Sequence, residues 1–222
     1  MIITIDGPAG AGKSTVAKKL AERLGFLYVD TGAMYRALTL KAMRGNIDFN
    51  NIPALVQLAE NTKILLLSSS SGQSVVILDK EDVSAAIRDP QVTNMVFHIA
   101  RVAQIRDVMA RWQRQYGASQ DIVMEGRDIG TVIFPNAEKK FYLDASTEIR
   151  AQRRFQELLE KKTAITLPEV IKQIEDRDHK DKTRACGPLK VAVDAVYIDS
   201  SHRTVDDVIE IMLSYCNHEK KK

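Results

Sequence analysis

Eight residues near the N-terminus, Gly7-Pro8-Ala9-Gly10-Ala11-Gly12-Lys13-Ser14, carry the most specific chemistry in the chain. They fit G-x-x-x-x-G-K-[ST], a loop whose backbone amides wrap a phosphate chain. The glycines let the backbone curl so that successive N–H groups point inward. Lys13 reaches for the β- and γ-phosphates, the Ser14 hydroxyl is the candidate Mg²⁺ ligand, and Thr15 completes the loop's exit. The flanks supply the required context. Ile2-Ile3-Thr4-Ile5 is a β-branched apolar run suited to a buried parallel strand. Val16, Ala17, Leu20, Ala21 and Leu24 recur at helical spacing, and that helix's N-terminus adds positive charge. Strand, glycine turn and helix together predict binding of a nucleoside triphosphate.

Three further polar clusters stand where function would be expected: Asp30 to Arg36, Glu125 to Thr131, and the dense charge run Asp176 to Arg184. The first two directly follow apolar strands. In open α/β sheets ligands sit beyond the carboxyl ends of strands, so both clusters share a rim with the phosphate loop. Phosphoryl transfer explains so many cations in one place. The moving phosphoryl spreads negative charge over its oxygens while donor and acceptor phosphates repel, so catalysis is mostly positioning and electrostatics. Arginine suits the task because its fork grips phosphate through two bonds. The third cluster also reads as a solvated helix face held by pairs such as Asp178–Lys182. His98 and His179 have no partner visible in sequence.

The elements that position these clusters alternate between strand and helix. Beyond the first strand, the apolar runs Phe26–Val29, Ile122–Met124, Phe141–Leu143 and Val196–Ile198 are the candidate core strands. Five such strands among helices predict an α/β fold with a parallel, doubly wound sheet. Helices are expected after Gly25 and its strand at 33–44, at Pro53–Glu60 with Asn51 near the cap, and near 147–162 and 168–182. One long helix, capped by Asp89-Pro90, should carry Val92 through Tyr116. In the helix near 147–162, Ala151, Phe155, Leu158 and Leu159 form the expected buried stripe. A last helix is capped by Thr204. The stretch 62–88 departs from the alternation. Ile64–Leu67 and Val75–Leu78 read as a hairpin closed by Ser68–Ser71 and Gly72, with Glu81-Asp82-Val83 and Ile87 as a third strand.

The 222 residues suffice for one domain with an insertion, and a 45% hydrophobic, 27% charged composition is that of a soluble globule. No run approaches the roughly 18 apolar residues of a membrane helix, and the first strand begins too early for a leader. Two cysteines without C-x-x-C exclude a disulfide framework and a zinc site, which suits a reducing cytoplasm. A net charge of +3 suits anionic ligands but is too weak by itself to argue for a nucleic-acid partner, and an aromatic content of 6% offers none of the interleaved aromatics such a partner would need. Lys220–Lys222 reads as a frayed, solvated end.

The succession Ile3-Thr-Ile-Asp-Gly-Pro-Ala-Gly-Ala-Gly-Lys-Ser, Asp30-Thr-Gly-Ala-Met-Tyr-Arg, Gly126-Arg-Asp-Ile-Gly-Thr-Val-Ile-Phe-Pro, Leu143-Asp-Ala-Ser and Arg177-Asp-x-x-Asp-x-x-Arg is similar to the bacterial cytidylate kinases. These are monomeric P-loop nucleoside monophosphate kinases, and the resemblance runs from residue 2 to about residue 215. It implies transfer of the γ-phosphoryl group of ATP to CMP or dCMP with Mg²⁺. The implied P-loop NTPase fold has a five-stranded parallel core at about 1–38, 89–152 and 190–222, an NMP-binding region with a β-rich insert at 39–88, and an arginine-containing lid at 153–189. Carried over by position, Thr31 lies near the monophosphate nucleotide, and Arg36 and Arg127 hold the acceptor phosphate. Arg106, Asp128 and Arg184 lie near cytosine or phosphates, Arg177 and Asp181 meet the ribose, and Arg153 and Arg154 belong to the ATP side of the lid. Lys13, Arg127, Arg154 and Arg177 are the candidate catalytic cations. Asp128 suits the exocyclic amine, since a carboxylate accepts a hydrogen bond there.

One position departs from the family pattern. Phe97 stands where relatives often carry a serine that helps recognise the base. Other P-loop kinases, of UMP/CMP, adenylate or shikimate, and a switch-type NTPase are the alternatives. The chain lacks the Asn-Lys-x-Asp and Asp-x-x-Gly motifs expected of a guanine-specific switch.

Overall fold

The structure is a computed structural model that describes residues 1–68, 74–160 and 163–217. The chain runs through β1 (Ile2–Asp6), α1 (Lys13–Leu24), β2 (Leu27–Asp30), α2 (Thr31–Arg44), α3 (Ile52–Glu60), β3 (Ile64–Ser68), β4 (Ser74–Leu78) and β5 (Glu81–Asp82). It continues through α4 (Pro90–Ala100), α5 (Ala103–Ser119), β6 (Ile122–Gly126), β7 (Lys139–Asp144), α6 (Thr147–Glu160), α7 (Leu167–Thr183), β8 (Val196–Asp199) and α8 (Val205–Asn217).

Five strands form one parallel sheet in the order β2-β6-β1-β7-β8. β1 lies at its centre, so the phosphate loop leaves from the middle of the carboxyl rim. Alternation along the strands divides the interior in two. Ile3 and Ile5 of β1, with Val123 of β6, face α1 and α8, where Val16, Leu20, Val208, Ile209 and Met212 cover them. Ile122 and Met124 turn to the other face, against Met34 and Leu38 of α2 and Ile105 and Met109 of α5. Burying each such side chain stabilises by about 1.5–3 kcal/mol, so both faces are firmly covered.

The β-rich stretch forms a separate antiparallel sheet, β3-β4-β5, in which Ile64 pairs with Leu78 and Leu66 with Val76. Its inner residues Leu66 and Val76 join the α2/α5 core. Ile87 is not part of this sheet but sits in a short 3-10 turn, Ala86–Arg88, because Ser84 binds Asp82 and Val76 and ends the pairing. The serine turn expected between β3 and β4 falls largely outside the described residues, as does the C-terminal lysine run.

Two other expectations change. The single helix expected from Pro90 to Tyr116 is two helices, broken at Arg101-Val102 without glycine or proline. Val102 is extended and buried, and the Arg106 guanidinium reaches back 3.5 Å to the last carbonyl of α4, Ala100. Leu159 is 44% exposed, while Ala151 and Leu158 are buried against Val170 and Ile174 of α7. The α6–α7 pair is thus a small helical arm with its own apolar seam.

Candidate active site

The glycines of the phosphate loop do what their spacing suggested. Gly7 has φ 151° and lies so close to the Leu143 carbonyl that a Cβ would collide with it. Gly10 has φ 79°, and a Cβ there would stand 3.1 Å from Cβ of Arg150. Lys13 is buried and donates to the Pro8 carbonyl at 2.7 Å. Burial, and then the nearby Arg127 guanidinium, pull its ammonium well below the usual lysine range. Ser14 and Thr15 at the head of α1 are open to solvent.

The wall beside the loop is acidic. Glu125 at the end of β6 is buried, accepts from the Tyr28 hydroxyl at 2.5 Å and lies close to the Ser14 hydroxyl. Its carboxyl is raised by burial and by Asp30. Asp6, also buried, accepts from the amides of Ile129 at 2.9 Å and Gly130 at 2.7 Å, and burial lifts it to about 6. Those two bonds anchor the wide helical turn Ile129–Ile133 that follows the Gly-Arg-Asp segment.

Asp30 organises the acceptor side. Its carboxylate caps α2 by accepting from the Ala33 amide at 2.9 Å, as helix starts favour. The same group accepts from Arg36 at 2.9 Å and aims that guanidinium at the rim. Thr31 donates to the Glu125 carbonyl at 2.7 Å. Tyr28, Asp30 and Arg36 line a small cavity whose other wall is Leu66, Val76 and Arg88 from the insert.

A second group of charges lies deeper. Asp128 holds two arginines: Arg106, bonded to Oδ2, and Arg184, 3.3 Å from Oδ1. All three side chains are nearly buried. Arg106 also lies over the Tyr35 ring, 5.8 Å from its centroid. Gly187, at φ 57°, packs directly against this group, since any Cβ there would strike both Asp128 and Arg106.

The helical arm supplies the remaining cations. Arg127 donates to Asp181 of α7 at 2.8 Å. Arg177 projects into the cleft, open to solvent yet surrounded by charge, and makes no hydrogen bond or ion pair among the described residues. The protein crowded around its head group and the guanidinium groups of Arg127, Arg36 and Arg154 lower it to about 10, though the side chain stays in contact with solvent. Arg153 donates to the Ser200 carbonyl at 2.6 Å, and the Ser200 hydroxyl in turn donates to Ala11 in the loop.

The structure therefore brings Lys13, Arg36, Arg127, Arg177 and Asp181 to one cleft, with Arg106, Asp128 and Arg184 at its floor. Arg154 stands apart, in an exposed pair with Glu157, and reaches the cleft only through its field on Arg177. The surface pair expected between Asp178 and Lys182 does not form. Asp178 is buried and bound to Arg150 at 2.7 Å, because its helix face turns toward α6. Sequence reasoning placed Asp30 and Glu125 in polar clusters expected to function, without individual roles, and Asp178 only in a surface pair; it assigned nothing to Asp6, Tyr28, Arg150 or Ser200. Asp30, directly before a helical pattern, was recognisable as a cap; Asp6, Tyr28, Arg150 and Ser200 act on residues distant in sequence and leave no local signal.

A phosphate loop on the central strand, facing arginines on a second rim cluster and a helical arm, defines a P-loop phosphotransferase. The family model described as cytidylate kinase matches residues 3–218. The cytidylate kinase of Desulforamulus reducens is 49% identical, covering 98% of this chain and 97% of that protein. That of Clostridioides difficile is 42% identical over 98% of each. An uncharacterized protein from Eubacterium ventriosum, solved by crystallography, shares the fold at TM-score 0.51 and 12% identity over 97% of both chains. The chain belongs to the cytidylate kinase family. It is an ATP-dependent kinase of CMP and dCMP, as the motif order implied, and neither another P-loop kinase nor a switch-type NTPase is favoured.

Proposed function

We propose that the protein transfers the γ-phosphoryl group of MgATP to CMP or dCMP through the cleft between the phosphate loop and α7, as a cytoplasmic monomer without nucleic-acid or membrane partners. The observation that carries this reading is the convergence of Lys13, Arg36, Arg127 and Arg177 on one cleft. The donor phosphates lie in the loop, against Lys13 and the N-terminus of α1. The acceptor phosphate is held by Arg36 and Arg127, each already aimed by a carboxylate. An acceptor phosphate oxygen attacks the γ-phosphorus in line as the bond to the β-phosphate oxygen breaks. This nucleophile is ionised at neutral pH, so the reaction needs no general base, and the buried carboxylates serve to orient cations. Charge growing on the equatorial oxygens is met by Lys13, Arg127 and Arg177.

Mg²⁺ fits the Ser14 hydroxyl with Glu125 beside it, a set of hard oxygen donors. Bound there with the triphosphate, it would neutralise phosphate charge. Asp128 accepts from the cytosine amine, and Arg106 and Arg184 fix its orientation. Arg177 and Asp181 meet the ribose, with Arg153 and Arg154 on the ATP side. Residues 39–88 then form the NMP-binding region and 153–189 the lid, around a core of 1–38, 89–152 and 190–222. Neither Cys186 nor Cys216 is joined in a disulfide, which supports a reducing location, and no helix among the described residues is long and apolar enough to cross a membrane.

The test is ADP release with MgATP and CMP, dCMP, UMP, AMP or shikimate as acceptor. Turnover on CMP and dCMP with little on UMP supports the reading. Equal turnover on UMP moves base selection away from Asp128, and no acceptor-dependent turnover defeats it.

A further inference from the structure

We infer that Arg150 and Asp178 form a positioning pair that couples occupancy of the phosphate loop to placement of α7, so that triphosphate and acceptor bind cooperatively. The inference rests on the cleft assignment above, and on a cluster which that assignment leaves unused.

The Arg150 side chain is only 5% exposed, and its fork is fully engaged. Nε donates to Ala145 at 2.9 Å and Nη2 to Thr147 Oγ1 at 3.0 Å, which fixes the guanidinium plane on the start of α6. Nη1 is shared. It donates to the Ala9 carbonyl at 3.1 Å and stands 2.7 Å from Oδ2 of Asp178. One nitrogen thus joins the phosphate loop to the helix of Arg177 and Asp181. Contact is reinforced at Gly10, whose missing side chain lets the loop rest on the backbone of Arg150.

Asp178 faces the other way as well. Its Oδ1 is buried without a hydrogen-bond partner among the described residues, and its charge reaches Arg127. The carboxylate therefore sits between the cation holding the loop and the cation proposed to hold the acceptor phosphate. Water screens little here, so a small displacement of Ala9 is felt at α7. When the loop tightens on a triphosphate, Arg150 shifts with Ala9, and Asp178 draws α7 and its neighbours Arg177 and Asp181 toward the acceptor. By linkage the acceptor must tighten triphosphate binding equally. A lysine cannot replace Arg150, since an ammonium lacks the planar fork that serves four partners.

The experiment is calorimetric titration of CMP, alone and with a saturating, non-hydrolysable ATP analogue and Mg²⁺, on wild type, D178N and R150K, with turnover on CMP and a thermal melt for each. In wild type the analogue should tighten CMP at least about fivefold. In both variants that ratio should fall to about one while CMP alone keeps an affinity within about twofold of wild type. A wild-type ratio of one, or a ratio retained in the variants, overturns the inference while leaving the kinase assignment intact. A lower Tm with both ligands weakened and the ratio unchanged marks a merely structural pair and also overturns it. Absence of CMP binding and turnover in wild type instead removes the assignment on which it rests. Should D178N not fold, R150K carries the same comparison.

Discussion

Arg127, on the loop leaving the sheet, donates to Asp181 on the helical arm at 2.8 Å, across 54 positions of sequence. With Nη1 also donating to the Gly126 carbonyl at 3.2 Å, the guanidinium is held at a fixed angle from which Nη2 can meet an anion.

Replacing Arg127 by alanine removes charge that matters most in the transition state. We expect kcat/KM for CMP to fall about 10²–10³-fold, through both a raised KM for CMP and a lowered kcat. Arg127→Lys should recover little, since it restores charge without the fork. Steady-state kinetics on folded variants check this, and unchanged constants would remove Arg127 from the acceptor site.

Lys13→Ala should lower kcat by at least about 10³-fold with an unaltered circular dichroism spectrum. Lys13 also predicts a proton linkage. Burial and Arg127 depress its pKa in the free protein, and the negative charge of a triphosphate bound against it should push it back up. Between those two values binding must take up a proton, so affinity for MgATP falls as pH rises through the alkaline range toward about 10.4. Calorimetry in buffers of different ionisation heat measures the uptake; Lys13→Met should abolish it.

Asp128→Asn leaves Arg106 and Arg184 without their shared anion and offers the base a different group. The CMP-to-UMP ratio of kcat/KM should fall at least about tenfold. The variant should also melt earlier, because a buried pair that loses one partner typically costs about 3–5 kcal/mol. An acceptor panel with a thermal melt separates the two effects.

Asp6 makes stability fall as pH rises across the acidic range. Its carboxyl titrates at about 6 in the folded protein against 3.8 in the unfolded chain. Between those values the folded state binds more protons, so stability drops as pH increases, by about 3 kcal/mol in all. Chemical denaturation at about pH 4 and pH 7 should show this loss in wild type relative to Asp6→Asn. Equal pH dependence in the two proteins would contradict it.

What the sequence could disclose was local. The phosphate loop, the caps Asp30, Asn51 and Asp89, and the five core strands are written in short spacings and turn chemistry. The break between α4 and α5 is not, since it depends on Val102 being buried and Arg106 folding back on Ala100. The role of Arg150 was equally hidden. Spacing along α6 assigns it to a polar stripe, and only the approach of the loop and α7 turns that stripe inward. The arginine clusters revealed the chemistry without the pairing, because Asp128 chooses Arg106 and Arg184 from residues 22 and 56 positions away.

The sheet order has a consequence for how the chain is made. β1 emerges well before both of its neighbours during synthesis, since β6 and β7 lie beyond residue 121. Until they arrive, Ile3 and Ile5 have no strand to pair with, and the phosphate loop has no Leu143 to close on. The β3–β4 hairpin and its insert can form locally in the meantime, whereas the nucleotide cleft waits for most of the chain. A ribosome-bound fragment ending before β6 should therefore hold neither nucleotide, with an apolar strand exposed to chaperones and to neighbouring nascent chains.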